Sequence, residues 1–280
     1  MTTLAITTIQ TNLHWEDKKA NLQMFADKIL SIKEKTEIIV LPEMFSTGFI
    51  VHPEQLAETM NGDAVNWMKE IAAKKKAIVT GSMIIKEPAN AADPGGQQFY
   101  FNRLIWMLPN GQYGIYDKRH RFAFAGEDQQ YTAGNKRLIA SVNGWRINLQ
   151  VCYDLRFPVW ARQSLQTGKT EKSCEYDVLV YVANWPETRS TAWKTLLRAR
   201  AIENQCYVIG VNRVGTDGNG KYFSGDSMAI DPLGEILYHK KDEEDICTTT
   251  LNKEHLQAVW EKFPFWRDAD KFEILNEDED

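Results

Sequence analysis

Short-period apolar positions from Leu4 to Ile9 predict an opening strand, and the wider spacing of Leu22, Phe25, Ile29 and Ile32 within Trp15 to Lys35 predicts a helix. A strand is expected at Glu37 to Leu41, a helix at Asp63 to Lys75 and a strand at Ala77 to Ile85, so the first third reads β-α-β-α-β. The pattern then changes to hairpins. Phe99 to Leu108 and Tyr113 to Asp117 flank the turn Pro109-Asn110-Gly111-Gln112, and a second pair between Leu138 and Val151 flanks Asn143-Gly144. Alternation resumes with a helix from Cys152 through Gln166 and a strand at Asp177 to Ala183. A helix at Thr191 to Asn204, with Leu196, Leu197 and Ile202 on its apolar face, and a strand at Cys206 to Arg213 follow. Turns at Thr216 to Gly220 and Asp231 to Gly234 punctuate strands at Tyr222 to Ile230 and Glu235 to Tyr238. With no linker and no repeat, the chain reads as a single α/β domain over 1–280 with mixed sheets, ending in an acidic, flexible tail at 276–280.

The length of 280 residues alone allows one large or two modest domains. A hydrophobic fraction of 43% and a charged fraction of 25% are those of an ordinary globular protein. The net charge of −5 supplies no positive field for a phosphate backbone, which argues against nucleic acid as a partner. Apolar runs such as Val178 to Ala183 fall far short of the roughly 20 residues that cross a bilayer. The start MTTLAITTIQTN lacks the basic and apolar regions of a signal peptide, so the cytoplasm is the expected compartment. Cys152, Cys174, Cys206 and Cys247 form no C-x-x-C pair, which speaks against a zinc site or a disulfide framework. Asp217 and Asn219 between Gly215, Gly218 and Gly220 spell a hairpin turn rather than a phosphate cradle.

Cys152 stands where a strand ends and a helix begins, and unpaired N–H groups at such a junction can stabilise a thiolate or an oxyanion. The other three cysteines lie in strand or loop patterns and read as inert. A nucleophilic cysteine needs a base, but His239 and His255 sit among charges and His120 lies in the basic run Lys118 to Arg121. Glu43 is the better candidate, because it follows the buried strand Ile38 to Leu41 at its carboxyl end, where α/β active sites collect their groups. Lys118 ends the strand Ile115 to Asp117 in the same way, and Glu127 lies in a turn. Taken singly, each has a plainer reading as a solvated charge. Arg156 and Arg189 are candidates for a substrate carboxylate through the bidentate guanidinium fork, against structural roles as a brace for Asp154 and a helix cap. Trp185 and Phe45 are candidates for the pocket wall, against simple core positions.

Together, Leu41-Pro42-Glu43, Tyr116-Asp117-Lys118 and Val151-Cys152-Tyr153-Asp154-Leu155-Arg156-Phe157-Pro158 resemble the nitrilase superfamily of carbon-nitrogen hydrolases. The resemblance continues through Asn184-Trp185-Pro186, Arg198 to Asn204 and Ser224-Gly225-Asp226-Ser227, nearly end to end. It implies an α-β-β-α sandwich, two mixed sheets flanked by helices, paired into a homodimer through a helical layer. It further implies Glu43 as general base, Lys118 as oxyanion partner, Cys152 as nucleophile, Glu127 as a second, positioning glutamate, and the Tyr153 backbone N–H as the other oxyanion donor. No metal or other cofactor is required, and the expected partner is a small-molecule amide. The stretch Glu261 to Asp270 and the Asn-Trp-Pro segment are similar to bacterial omega-amidases, which act on monoamides of short dicarboxylates such as 2-oxoglutaramate. Where many relatives carry Glu after Arg-Phe-Pro this chain has Val159, which removes one possible carboxylate near the site. A carbamoylase, a nitrilase, a deaminated-glutathione amidase or a non-catalytic binding protein on the same fold are the alternatives.

Overall fold

A computed structural model describes residues 2–90, 92–163 and 174–275, so the tail at 276–280 lies outside the described residues. In chain order the first half runs β1 (Thr3–Gln10), α1 (Lys18–Ser31), β2 (Ile38–Val40), α2 (Asp63–Lys75), β3 (Ile78–Pro88), β4 (Gln98–Met107), β5 (Tyr113–Asp117), α3 (Glu127–Gln130), β6 (Leu138–Val142) and β7 (Trp145–Val151). The second half runs α4 (Pro158–Ala161), β8 (Val178–Ala183), α5 (Ser190–Asn204), β9 (Tyr207–Asn212), β10 (Val214–Thr216), β11 (Tyr222–Ile230), β12 (Ile236–Lys241), β13 (Asp245–Asn252) and α6 (Lys253–Lys262).

The strands form two mixed sheets, in the orders β13-β1-β2-β3-β4-β5 and β10-β11-β9-β8-β7-β6, with β12 added beside β11. Side chains of a strand alternate between its faces, and the burial follows that alternation. Ile38 and Val40 of β2 point into one core with Leu104 and Trp106 of β4 and with Ile147, Leu149 and Val180 of the second sheet. Ile39 between them points the other way, into a second core built with Phe25 and Ile29 of α1 and Val65 and Met68 of α2. The first core glues sheet to sheet and the second glues helices to the outer face. On the far side α5 lays Trp193 and Leu197 against β9, an approach open only because position 210 is glycine. A Cβ there would meet the Leu197 side chain at 2.4 Å. The result is an α-β-β-α sandwich.

Two expectations change. The segment from Cys152 does not continue as a helix to Gln166: it makes a 3-10 turn at Cys152–Arg156 and the single turn of α4, and 164–173 lie outside the described residues. Phe157 breaks the run at φ −113° and ψ 88°, and Pro158 after it disfavours helical geometry for the residue it follows. The buried face of α5 is Trp193, Leu197, Arg200, Ala201 and Asn204, whereas Ile202 is exposed. Strand β13 carried no expectation; it pairs antiparallel with β1 in unbroken register from Thr3↔Asn252 to Gln10↔Asp245.

Candidate active site

Both sheets end at one pole of the sandwich, and there the functional side chains gather. Glu43 follows β2 and Lys118 follows β5 in the first sheet, while Cys152 follows β7 and Asn184 follows β8 in the second. Glu43, Lys118 and Glu127 are buried. Lys118 Nζ donates to Glu43 Oε1 at 3.1 Å and to Glu127 Oε1 and Oε2 at 3.0 and 2.8 Å. Two carboxylates thus share one ammonium. Burial works against the charge on Lys118, but Glu127 and Glu43 outweigh it and hold its pKa well above the ordinary lysine value. Burial raises the Glu127 carboxyl, Lys118 opposes the rise, and Glu43 adds to it, for a net upward shift.

Cys152 opens its 3-10 turn at φ +44°, in the left-handed region that a non-glycine residue adopts at a cost of roughly 1–2 kcal/mol. The turn lifts the thiol out of the strand toward Glu43, with which it shares a hydrogen bond. Burial pushes the thiol pKa well above its ordinary value, Glu43 adds to the rise, and Lys118 only partly offsets it. The resting group is therefore a neutral thiol whose proton faces a carboxylate. The Tyr153 amide occupies the second position of the turn, where N–H groups lack a partner within the helix. Among the described residues no histidine is hydrogen-bonded to Glu43, Lys118 or Glu127, although His52 lines the pocket. His120, His239 and His255 pair instead with Asp154, Asp226 and Asp231.

A pocket of about 560 Å³ opens above the thiol, walled in part by Phe49, Phe122, Tyr153, Arg156, Trp185 and Arg189. Arg156 is exposed, with its guanidinium 5.0 Å from the centre of the Trp185 ring. It does not brace Asp154, which is held by Tyr116, His120 and the Val151 N–H. Arg189 begins α5 and lies 5.2 Å from the Phe122 ring; burial and the neighbouring Arg156 lower its pKa, opposed by Cys152. Phe45 does not line the pocket. It is fully buried behind the first sheet, 5.7 Å from both Phe25 and Trp67, because the left-handed backbone at Met44 turns the chain between Glu43 and Phe45. Phe49 takes the wall position. Val159 is 54% exposed in α4, beside Phe265 and Phe272 in a surface cleft, so the missing carboxylate at that position leaves the cluster untouched.

Three contributors escaped the sequence reading. Asn102 of β4 donates to Glu43 Oε1 at 2.8 Å, and the only available signal was an uncharged polar residue inside the largely apolar run Tyr100-Phe101-Asn102-Arg103-Leu104-Ile105. The Asn184 N–H donates to Glu43 Oε2 at 2.8 Å, and its side-chain amide donates to the Glu43 carbonyl at 2.6 Å. The Phe122 N–H donates to Glu127 Oε2 at 2.6 Å. The Asn184 and Phe122 N–H groups act through the backbone, which leaves no mark on residue type.

Two sheets packed face to face between helices make up the fold of solved nitrilase-superfamily structures, and in this chain a buried thiol, lysine and pair of glutamates gather where the sheets meet. The chain belongs to the carbon-nitrogen hydrolase family, whose sequence model matches residues 4–260, and is thereby an enzyme of carbon-nitrogen bond hydrolysis. It is 42% identical over 278 residues to the omega-amidase YafV of Yersinia enterocolitica, covering 98% of this chain and 100% of the relative. It is 29% identical over 269 residues to the 2-oxoglutaramate amidase of Bacillus subtilis, covering 95% and 97%. Among solved structures it superposes with a TM-score of 0.91 and 39% identity on XC1258 of Xanthomonas campestris, covering 98% and 100%. That protein is a CN-hydrolase superfamily member with an arsenic adduct in its active site.

Proposed function

We propose that the protein is an omega-amidase that hydrolyses the terminal amide of short dicarboxylic monoamides, 2-oxoglutaramate-like, to acid and ammonia. The observation that carries the chemistry is the Cys152 thiol set beside buried Glu43, whose Oε1 also accepts from Lys118 Nζ at 3.1 Å. Glu43 takes the thiol proton as sulfur attacks the amide carbon, so no free thiolate has to exist beforehand. Lys118 and the Tyr153 N–H hold the oxyanion, while Glu127 keeps Lys118 aimed. Collapse of the tetrahedral adduct returns the proton to nitrogen and releases ammonia. Water, deprotonated by Glu43, then hydrolyses the thioester and restores the thiol. Arg156 and Arg189 hold the substrate carboxylate against the Trp185 wall, since no protein carboxylate pairs with either among the described residues.

The substrate class is supported by the full-length likeness to an omega-amidase and a 2-oxoglutaramate amidase. Residues 1–280 act as one domain in this reading, because β13 closes the sheet that β1 opens. It further has two copies pairing through a helical layer, where Val159, Phe265 and Phe272 are exposed together, and places the enzyme in the cytoplasm. Among the described residues, no helix is long and apolar enough to cross a membrane. Ammonia release from 2-oxoglutaramate, glutamine, N-carbamoyl amino acids and simple nitriles tests the assignment. The omega-amide should be the best substrate, and turnover confined to carbamoyl compounds or nitriles would overturn it.

A further inference from the structure

Eight residues separate Lys118 from Glu127 along the chain, and their course is not that of a simple connector. The segment leaves the cluster, forms a 3-10 turn at Ala123–Ala125, and returns through Gly126 at φ +81°. Phe122 sits at its centre and faces two ways. Its backbone is tied to Glu127 in both directions: the Phe122 N–H donates to Glu127 Oε2 at 2.6 Å, and the Glu127 N–H donates to the Phe122 carbonyl at 3.3 Å. Its ring lines the pocket, edge-on to Tyr153 at 5.0 Å between centroids and 5.2 Å from the Arg189 guanidinium.

We infer that Phe122 is a positioning residue that couples the filling of the pocket to the buried carboxylate of Glu127: the ring meets the substrate's surroundings, and the amide sets where Glu127 stands. Glu127 is faced by Lys118 from the end of β5, Glu43 from beyond β2 and Cys152 from beyond β7. Its own segment adds Tyr131, Asp128 and Arg121, whose guanidinium is committed to the carbonyls of Asp128 and Tyr131. Lys118 and the Phe122 amide act to keep Glu127 ionised against its burial, and the Asn102 side-chain amide adds a longer contact to Oε1 at 3.4 Å. A ring displaced by substrate moves the amide with it, and the amide governs how firmly Glu127 holds Lys118. The inference rests on the omega-amidase reading for its substrate but not for its geometry.

Two substitutions separate ring from amide. Phe122→Ala removes the ring and keeps the N–H. Phe122→Pro removes both, and the native φ of −75° already suits proline, so the backbone need not move. The full-length enzyme is assayed on an anionic omega-amide from acid to alkaline pH. Phe122→Ala should raise KM severalfold and lower kcat by about threefold, with the acid limb of its pH profile unmoved. Phe122→Pro should in addition lower kcat at least about tenfold and move the acid limb of its pH profile upward by about one unit, the size of a hydrogen bond to a charged group. Coincident profiles for the two variants would overturn the inference. If the wild type releases no ammonia from any omega-amide, the functional reading fails by itself. The coupling is then decided by the pH dependence of Cys152 alkylation with iodoacetamide, which must differ between the two variants. Should the proline variant not fold, hydrogen exchange at the Phe122 amide decides: it must be slow in wild type and at least about a hundredfold faster in Glu127→Ala, and equal rates would refute it.

Discussion

Glu43→Gln and Lys118→Met should each lower kcat by at least about 100-fold, the scale of losing a general base or an oxyanion donor. Because the two groups touch at 3.1 Å and serve the same charge movement, the double variant should resemble the worse single one in steady-state kinetics. The backbone at Cys152 allows a separate test. Cys152→Ala and Cys152→Gly should both be inactive, yet the glycine variant should resist urea better by about 0.5–1 kcal/mol. Glycine escapes the 1–2 kcal/mol of left-handed strain and gives back only part of it as chain entropy. An alanine variant as stable as the glycine one would mean the elbow is unstrained. Glu43, Lys118 and Cys152 were legible because each follows a readable strand. Phe45 was misread because its neighbour Met44 leaves extended geometry, so alternation along the strand no longer says which way the ring points.

Among the elements, α5 shows how a site bends the rules of pattern. Its apolar spacing favoured Ile202, but the helix buries Arg200 and Asn204 instead, and Arg200 Nη2 donates to the Leu155 carbonyl at 2.5 Å. A polar residue has been recruited to pin the turn that carries Cys152, a demand that hydrophobicity cannot announce. Arg200→Met should cost roughly 1–3 kcal/mol in urea unfolding by stranding that carbonyl, and should lower kcat as the turn loosens. The start of α5 is held by Asp226, whose carboxylate accepts from Ser190 and Ser224 at 2.7 Å each and contacts His239 at 2.8 Å. Burial would raise its pKa, but Ser190, Ser224, His239 and Lys194 together bring it below the ordinary value. A carboxyl depressed in the folded state stabilises above the unfolded pKa, and that stability is lost as pH falls through the folded one. The gap in unfolding free energy between wild type and Asp226→Asn should therefore be full at neutral pH and close below about pH 4. A gap that stays constant into acid would contradict this.

At the scale of the whole molecule, the first sheet contains both the earliest and the latest strands, since β13 lies beside β1. That pairing was invisible in a segment as threonine-rich as Ile246-Cys247-Thr248-Thr249-Thr250, whose identity as a strand comes from the partner it meets. Removing residues 245–275 should leave β1 as a bare edge and give aggregated chain rather than a trimmed enzyme, as size-exclusion chromatography would show. The strand-to-site relation follows from the same topology: one sheet supplies Glu43 and Lys118, the other Cys152 and Asn184, so the site exists only when both sheets have closed on each other. The burial of Cys152 beside Glu43 has its own consequence for the life of the enzyme in the presence of oxidants. Peroxides attack thiolates far faster than thiols, and burial with Glu43 holds the Cys152 thiol pKa well above its ordinary value. The idle enzyme should thus keep its activity through peroxide exposures that inactivate hydrolases with a preformed thiolate, a durability conferred by the burial of the thiol and the carboxylate beside it.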